Sequence, residues 1–340
     1  MIGRATIGTI KIETKVMLSN IERFIEYNNL IERQAKIVVG LSGGPDSVFL
    51  LHLLAHKQRQ GEIKTLIAAH LDHEWREDSG KDAKFCRKLA SSYNVEFVDS
   101  KLSELAISLK FNGSKEEFGR RARRFFFETL CKKHNLDLIA LAHHAQDQQE
   151  TFFIRLLRGA TLTGLTGMKP KNGSYIRPLL ETNKKDIISF LKKENIPYIT
   201  DPTNESEQFL RNKIRKHVLP ALKKCDERFD TKFKETLESL RKTETYLQKE
   251  TTKIFKEITI QNKIGRCINT EKLFALDSVA QNRVLLFWLC TENIQFPVSK
   301  GFFSELLRFL KQPSGGSHKC CPDWSIIKKK GISWISKSSL

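Results

Sequence analysis

One segment constrains the fold of this chain more than any other, because a strand pattern runs directly into a glycine turn and then a helix pattern. The apolar run Ala35–Leu41 precedes the sequence SGGPDS at residues 42–47, and the apolar segment Val48–Lys57 follows. A short apolar run bounded by Gly and Pro is typical of a strand buried on both faces. Such strands belong to parallel sheets, so a βαβ unit is predicted here.

The alternation of strand and helix patterns continues to about residue 160. Further strands are predicted at Thr65–Leu71, Val95–Val98 and Leu136–Ala142, and helices at 20–33, Ser79–Tyr93, Lys115–His134 and Asp147–Leu157. This order predicts an α/β fold with a doubly wound, mostly parallel sheet. Ligands in such folds bind at the carboxyl ends of the strands.

The pattern changes after about residue 218. Later helices are predicted at 226–256 and around Leu285–Cys290 and Phe302–Leu310, and a pair of short strands at Trp324–Ile327 and Ile332–Ile335. We therefore predict three parts: an N-terminal helical extension (1–33), a catalytic domain (34–218) and a smaller, mainly helical C-terminal domain (219–340).

Charge restricts the partners of this chain. Lys plus Arg number 58 and Asp plus Glu number 39, which gives a net charge of +19. An excess of this size favours a polyanion such as nucleic acid, because neutralising phosphates releases counterions. A solvated basic surface is the alternative interpretation.

Cysteine usage and hydropathy indicate the compartment. The chain has seven cysteines and no C-x-x-C pair, which suits neither a disulfide framework nor a zinc ribbon. No apolar run in the sequence reaches the roughly 18 residues that cross a bilayer. We expect a cytoplasmic protein with reduced thiols and no membrane segment.

The glycine turn has the composition of a phosphate-binding loop. Gly43 and Gly44 allow a tight turn that presents backbone N–H groups to an anion at a helix N-terminus. Ser42 and Ser47 add hydroxyl groups, and Asp46 is the candidate ligand that holds Mg²⁺ against phosphate oxygens. A plain turn capped by the aspartate is the structural alternative.

A second polar segment follows the strand Leu136–Ala142. Asp147 and Glu150 are three residues apart, so a helix places both carboxylates on one face. Two carboxylates this close need a cation. An amine or Mg²⁺ site, a zinc site with His143 and His144, and a solvated helix start are the interpretations that stay open.

These segments resemble those of known ATP-using enzymes. The loop SGGPDS resembles the pyrophosphate loop (PP-loop) of the N-type ATP pyrophosphatases, and residues 35–222 resemble the transfer RNA(Ile)-lysidine synthetase family. The segments that carry the second resemblance are HLDH (70–73), EEFGRRARRFFF (116–127), HHAQDQQETFFIRLLRGATLTGLTG (143–167), RPLL (177–180), DPTN (201–204) and RNKIR (211–215).

The resemblance implies a fold, a reaction and a set of partners. It implies the N-type ATP pyrophosphatase fold and the attachment of lysine to C2 of the wobble cytidine in isoleucine tRNA with the anticodon CAU. ATP adenylates the cytidine O2 and pyrophosphate is released; the ε-amine of lysine then displaces AMP. The implied partners are isoleucine tRNA, free L-lysine and ATP with Mg²⁺. A homodimer is one of the assemblies that stay open, because the sequence does not settle the oligomeric state.

Residue types and the resemblance together give candidate roles. Asp46, Asp147 and Glu150 are the candidate catalytic residues, and the last two are also the candidates for binding lysine. The candidates for binding ATP are Ser42, Gly43, Gly44, Asp46, Ser47 and His70. The candidates for contacting tRNA or phosphate are Arg120, Arg123, Arg158, Arg211 and Arg215, whose guanidinium groups suit paired oxygens.

Two positions depart from the family pattern. Gln146 stands where members often have Asp, and Arg124 stands where they usually have Tyr. The rival functions are a tRNA-thiolating enzyme on the same loop, another ATP pyrophosphatase, and a non-catalytic basic RNA-binding protein. A thiolating enzyme is expected to need cysteines at the site, and only Cys86 and Cys131 lie in the predicted catalytic domain.

Overall fold

The computed structural model describes residues 2–76, 78–105, 115–200, 209–263, 265–294, 296–297 and 299–337. The chain forms two compact units, residues 1–237 and residues 238–340. The predicted domain boundaries after residues 33 and 218 stay predictions. The segment 201–204, which contributes to the family resemblance, lies outside the described residues.

A mixed sheet lies at the centre of the first unit. Its strands are β1 (Ala35–Gly40), β2 (Ile63–Asp72), β3 (Glu96–Lys101), β4 (Leu138–Ala140), β5 (Lys171–Asn172) and β6 (Tyr175–Ile176). Among the described residues the strand order is β3-β2-β1-β4-β6-β5, and only the β5–β6 pair is antiparallel. The prediction of a mostly parallel sheet is confirmed.

Helices cover both faces of this sheet. The helices that precede residue 226 are α1 (Ile2–Tyr27), α2 (Pro45–Arg59), α3 (Gly80–Ser92), α4 (Lys115–His134), α5 (Ala145–Leu157), α6 (Leu162–Leu165), α7 (Lys184–Lys193), α8 (Leu210–Lys213) and α9 (Leu219–Cys225). Ile37 and Val39 pack into the core that α1, α2, α3 and α7 form. Val38, between them, packs into the core under α4, because successive residues of a strand point to opposite faces. The doubly wound arrangement is confirmed.

The first helix ends earlier than the predicted helix 20–33. α1 stops at Tyr27, and Asn29 takes a φ of +47°. Asn tolerates this left-handed conformation and commonly ends helices with it. The chain then reverses, and the Leu30 N–H donates to the Ile25 oxygen at 3.0 Å. The prediction was therefore wrong for residues 28–33.

The order of the strands makes β1 the switch point of the sheet. β2 lies on one side of β1 and β4 lies on the other. From β1 the chain first builds β2 and β3, and it later crosses back to build β4. Ligands of doubly wound folds bind where the connections diverge in this way. The two polar segments, 42–47 and 143–151, directly follow β1 and β4.

The remaining elements combine helices with a second sheet. They are α10 (Phe229–Ile258), β7 (Thr259–Asn262), β8 (Gly265–Asn269), α11 (Thr270–Phe274), α12 (Ser278–Thr291), α13 (Lys300–Lys311), β9 (Gly316–Cys321), β10 (Trp324–Lys329) and β11 (Ile332–Lys337). The sheet is antiparallel in the order β7-β8-β11-β10-β9. The predicted pair of strands is β10 and β11, whereas β7, β8 and β9 were not predicted. Trp288 is fully buried in the core of the second unit, residues 238–340.

A membrane-spanning helix was not expected from the sequence. Through all the residues that the structure describes, no helix combines the length and the apolar character needed to cross a bilayer.

Candidate active site

The loop between β1 and α2 is built around a glycine in a left-handed conformation. Gly43 has a φ of +82°, and a Cβ atom at this position would lie 2.9 Å from the Ile199 side chain. The Ser42 N–H donates to Ser47 Oγ at 3.1 Å, and the Ser47 hydroxyl donates to the Gly44 oxygen at 2.9 Å. The loop therefore closes on itself directly before the N-terminus of α2, where free N–H groups attract anions.

Asp46 lies in the first turn of α2 and meets two basic side chains. Its Oδ2 is 3.3 Å from Lys184 Nζ and 3.6 Å from His144 Nε2. Its Oδ1 is buried and has no hydrogen-bond partner. Burial alone raises the pKa of this carboxyl, but His144 and Lys184 lower it more, so the net shift in pKa is downward. Asp46 is therefore a charged carboxylate with one oxygen left to bind a ligand.

His144 joins Asp46 to the second polar segment. Its Nε2 lies 3.6 Å from Asp46 Oδ2 and also 3.6 Å from Asp147 Oδ2. The His144 backbone N–H donates to Asp147 Oδ2 at 2.9 Å, which fixes this carboxylate at the start of α5. Burial raises the pKa of Asp147, while His144, His143 and Arg211 lower it to below its usual value. The two carboxylates therefore approach one buried imidazole.

Glu150 is fully buried and is paired with two arginines. Its Oε1 lies 2.6 Å from Arg215 Nε, and its Oε2 lies 2.7 Å from Arg211 Nε. Arg211 also reaches Asp147, with 3.7 Å between Nη2 and Oδ1. The carboxylate pair was expected to share a cation, and here a guanidinium lies between them. The role of this pair in binding lysine stays a prediction.

An open cleft of about 980 Å³ brings many of the predicted residues together. Those that line it are Ser42, Gly44, Asp46, Ser47, His70, Arg120, Arg123 and Arg211. Asp147 and Glu150 are outside this lining set: Glu150 is fully buried, the Asp147 side chain is 15% exposed, and both contact Arg211. Arg158 is exposed at the C-terminal end of α5, and Arg215 is held by Glu150. Neither of these two arginines lines the cleft.

Buried polar atoms without hydrogen-bond partners concentrate at this cleft. Nine such side-chain atoms occur among the described residues, and six of them belong to the site: Asp46 Oδ1, both ring nitrogens of His73, His143 Nδ1, His144 Nδ1 and Arg177 Nε. Leaving a polar group buried and unpaired costs about 1–3 kcal/mol, so such atoms are rare in proteins. Their clustering indicates that ligands complete these hydrogen bonds.

The histidines of the cleft differ in their surroundings. His70 Nδ1 lies 2.9 Å from the Leu41 oxygen, which orients its ring beside the loop. Burial, followed by the charges of Arg177, Arg211 and Arg120, lowers the pKa of His143 to about 4, although Asp147 opposes this shift. His143 is therefore neutral at pH 7 and can accept or donate a hydrogen bond within the cleft.

Lys184 and Arg177 are candidate functional residues that were not singled out from the sequence. Lys184 Nζ contacts Asp46, and Arg177 lines the cleft while its Nη1 donates to the Lys169 oxygen at 2.9 Å. Arg177 begins the segment RPLL, which contributes to the family resemblance but has no predicted role at the site. Lys184 lies in a run of ordinary surface residues, and the sequence carries no local sign of its role.

The two departures from the family pattern have structural explanations. The Gln146 side-chain oxygen accepts a hydrogen bond from the Lys184 N–H at 3.0 Å, so this amide holds the start of α7. Arg124 Nε donates to Glu128 at 2.8 Å, and its guanidinium lies over the Tyr175 ring at 5.6 Å. An aromatic ring is thus present at this wall of the cleft, but Tyr175 supplies it.

Two cysteines of the first unit, Cys86 and Cys131, are poor nucleophiles. Burial raises the pKa of Cys86 to about 12 and that of Cys131 to about 11. A reactive cysteine has a lowered pKa because the thiolate is the nucleophile. Within the part of the chain that the structure describes, no group of three or more His, Cys, Asp or Glu side chains forms a metal site. Neither Cys86 nor Cys131 therefore has the lowered pKa that a catalytic thiol of a thiolating enzyme needs.

The fold and the loop define the class of protein. A parallel sheet with a glycine loop after its first strand is the architecture expected for a PP-loop enzyme, and residues 14–222 match the family model described as a PP-loop domain. This match covers more than half of the chain, so the chain belongs to the PP-loop family.

At the level of individual proteins, the chain is similar to curated tRNA(Ile)-lysidine synthases. It is 34% identical over 309 residues to that of Bacillus licheniformis, covering 88% of this chain and 64% of the relative. It is 33% identical over 308 residues to the synthase of Bacillus subtilis, and this match covers 88% of this chain and 65% of the relative. The chain thus spans less than two thirds of the length of these relatives.

A solved structure supports the fold. The U34-tRNA thiolase NcsA from Methanococcus maripaludis superposes with a TM-score of 0.55, covering 66% of this chain and 80% of that chain. Its sequence identity of 19% limits this likeness to the fold.

Proposed function

We propose that this chain is a cytoplasmic ligase that joins lysine to C2 of the wobble cytidine in isoleucine tRNA with the anticodon CAU. In this reaction ATP is cleaved to AMP and pyrophosphate. One observation carries the proposal: the carboxylates of Asp46 and Asp147 both lie 3.6 Å from His144 Nε2. A phosphate loop and a candidate amine-binding carboxylate are therefore neighbours, as ligation of an amino acid requires. The names of the relatives support the same reaction.

In the first step, the cytidine O2 bonds to the α-phosphorus of ATP and pyrophosphate leaves. The loop N–H groups, the Ser42 and Ser47 hydroxyls and the Lys184 ammonium stabilise the charge on the departing phosphates. Asp46 Oδ1 is buried and unpaired, which fits a Mg²⁺ ion held by one carboxylate and by substrate phosphates. Mg²⁺ supplies Lewis-acid stabilisation of the phosphate oxygens there.

In the second step, the lysine ε-amine bonds to C2, and O2 leaves with AMP. Asp147 binds the α-ammonium group of lysine, because its lowered pKa keeps it charged. Glu150 orients Arg211, whose guanidinium lines the cleft and suits the α-carboxylate. This arrangement presents the free ε-amine to the cytidine.

For the RNA, Arg120 and Arg123 are the proposed phosphate contacts. Both side chains are exposed on α4 and line the cleft, so an incoming backbone can reach them. Arg158 is exposed outside the cleft and is proposed to contact the RNA backbone there. Arg215 is already paired with Glu150, so its contact with RNA stays a prediction. The net charge of +19 favours this polyanionic substrate.

Incorporation of labelled lysine into an isoleucine tRNA transcript bearing CAU, with ATP and Mg²⁺, tests the proposal. We expect one lysine per tRNA, no incorporation when the first anticodon cytidine is replaced by uridine, and equal amounts of AMP and pyrophosphate. Asp46→Asn and Asp147→Asn should each lower the rate by about 100-fold or more. Asp186→Asn, an exposed carboxylate on α7, is the matched control.

The same assay separates the rival reactions. Release of AMP without lysine incorporation, or incorporation of sulfur in place of lysine, would contradict the proposal. Full activity in the Asp46 or Asp147 variant would refute the role given to that residue.

A further inference from the structure

Two aromatic rings form a stacked pair directly after β2. The rings of His73 and Trp75 have centroids 4.6 Å apart and planes inclined by only 23°. His73 lines the cleft, and Trp75 is 42% exposed. A large aromatic side chain that keeps this much exposure beside a cleft leaves apolar surface that a planar ligand can cover.

A glycine on α4 makes room for this pair. A Cβ atom on Gly119 would lie 2.7 Å from Trp75 Cη2 and 3.3 Å from His73 Cε1. Glycine inside a helix costs about 0.5–1 kcal/mol relative to alanine. The helix therefore gives up stability at a position where the two rings press against it. The adjacent residue, Arg120, also lines the cleft.

The His73 ring lacks the hydrogen bonds that a buried imidazole normally makes. Both Nδ1 and Nε2 are buried and have no partner. Burial and the charges of Arg123 and His70 lower the pKa of His73 to about 4, although Asp72 opposes this shift, so the ring is neutral at pH 7. A neutral imidazole offers one donor and one acceptor. This pattern suits a ligand that itself carries both a donor and an acceptor, and it does not suit a phosphate.

We propose that His73, in the cleft lining, and Trp75, stacked on it at the edge of the cleft, form a nucleobase-binding wall, and that Gly119 provides the space for it. A nucleobase has a flat π face for stacking and donor and acceptor groups at its edge, so it matches both properties of the pair. The inference rests on the proposed function, which supplies two nucleobases: the cytosine of the tRNA wobble position and the adenine of ATP. The wall takes one of them, and the experiment identifies which.

Equilibrium binding tests the wall without relying on turnover. The RNA arm compares the tRNA transcript with a transcript that is abasic at the wobble position, and the ATP arm compares ATP with inorganic triphosphate. In the arm whose base contacts the wall, the wild-type chain should bind the baseless ligand more weakly than the base-containing ligand. In that same arm, Trp75→Ala should weaken binding of the base-containing ligand by about 5- to 150-fold and leave binding of the baseless ligand unchanged.

Three further variants control for misfolding. His73→Phe keeps a stacked ring but removes the nitrogens, and it should weaken binding of the base-containing ligand by a smaller factor than Trp75→Ala does. Gly119→Ala should displace the Trp75 ring and so weaken base-dependent binding, while a circular dichroism spectrum equal to that of the wild type shows that the fold is intact. Tyr27→Ala, an exposed aromatic residue that does not line the cleft, should change nothing.

A double-mutant cycle completes the test. Adding Gly119→Ala to Trp75→Ala should have no further effect on binding, because the ring that the methyl group displaces is gone. If Trp75→Ala binds the intact and the baseless ligands as the wild type does in both arms, the wall is refuted. This outcome is separate from failure of the proposed function, in which the wild-type chain incorporates no lysine.

Discussion

Asp46 and Asp147 come from different helices, yet each places a carboxylate oxygen 3.6 Å from the same atom, His144 Nε2. His144 has only 3% of its side chain exposed, so this contact is screened from solvent. The imidazole therefore couples the residue proposed to act on the phosphates of ATP to the residue proposed to bind lysine. A substitution at either Asp46 or Asp147 should therefore affect the function of the other residue.

Lys184→Met should slow the adenylation step. The ammonium group helps to lower the pKa of Asp46, and it is proposed to stabilise the departing phosphates, so its loss should lower the rate of pyrophosphate release by about 100-fold. Single-turnover release of pyrophosphate measures this step. Lys185→Met, the exposed neighbour on α7, is the matched control, and equal rates in the two variants would exclude a role for Lys184.

Glu150→Gln should destabilise the first unit. The carboxylate is fully buried between Arg211 and Arg215, and removing one partner of a buried ion pair typically costs about 3 kcal/mol or more. Urea unfolding should show this loss in the free energy of unfolding. Glu117→Gln removes an exposed pair with Arg121 and should cost less than about 1 kcal/mol. Similar losses in both variants would contradict the prediction.

Stability should fall as the pH is lowered from about 6.5 to 4. Burial lowers the pKa of His73 and of His143 to about 4, whereas an unfolded histidine titrates near 6.5. Between these values the unfolded chain binds a proton that the folded chain does not, so each group lowers the free energy of unfolding by about 1.4 kcal/mol per pH unit. Chemical unfolding at several pH values measures the slope.

The histidine variants provide the control for this pH dependence. His143→Gln and His73→Gln should each reduce the slope of the free energy of unfolding against pH by the contribution of one proton. A slope that His143→Gln does not alter would show that this group titrates normally in the folded protein.

Lys328→Met should destabilise the second unit. Lys328 is only 8% exposed, and its Nζ donates to the Leu310 oxygen at 2.7 Å and to the Gln312 oxygen, at the C-terminal end of α13. Its loss leaves two carbonyl oxygens unpaired, which costs about 1–3 kcal/mol. Thermal unfolding tests this expectation. The exposed Lys329→Met should shift the midpoint little, and a larger shift there would point to net charge as the cause.

The local sequence determined the elements that carry the site. The apolar run before residue 42 predicted β1, the periodicity of residues 115–134 predicted the full extent of α4, and the glycine turn predicted the anion loop. These features depend on neighbouring residues alone: hydrophobic period, helix boundaries and backbone freedom at glycine. The short strands β5 to β8 were missed because each has too few residues to show a period, and β9 was missed because its sequence GSHKCC does not alternate apolar and polar residues clearly.

Only the tertiary structure decided which side chains meet. The placement of β4 beside β1 brings His144 to Asp46, and the packing of α7 brings Lys184 to the same carboxylate. Tertiary structure also brings Glu150 to its two arginine partners, which come from the segment 211–215. Such contacts join residues that are far apart along the chain. They arise from the order of the strands and the docking of helices on them, and no short-range pattern in the sequence encodes that order.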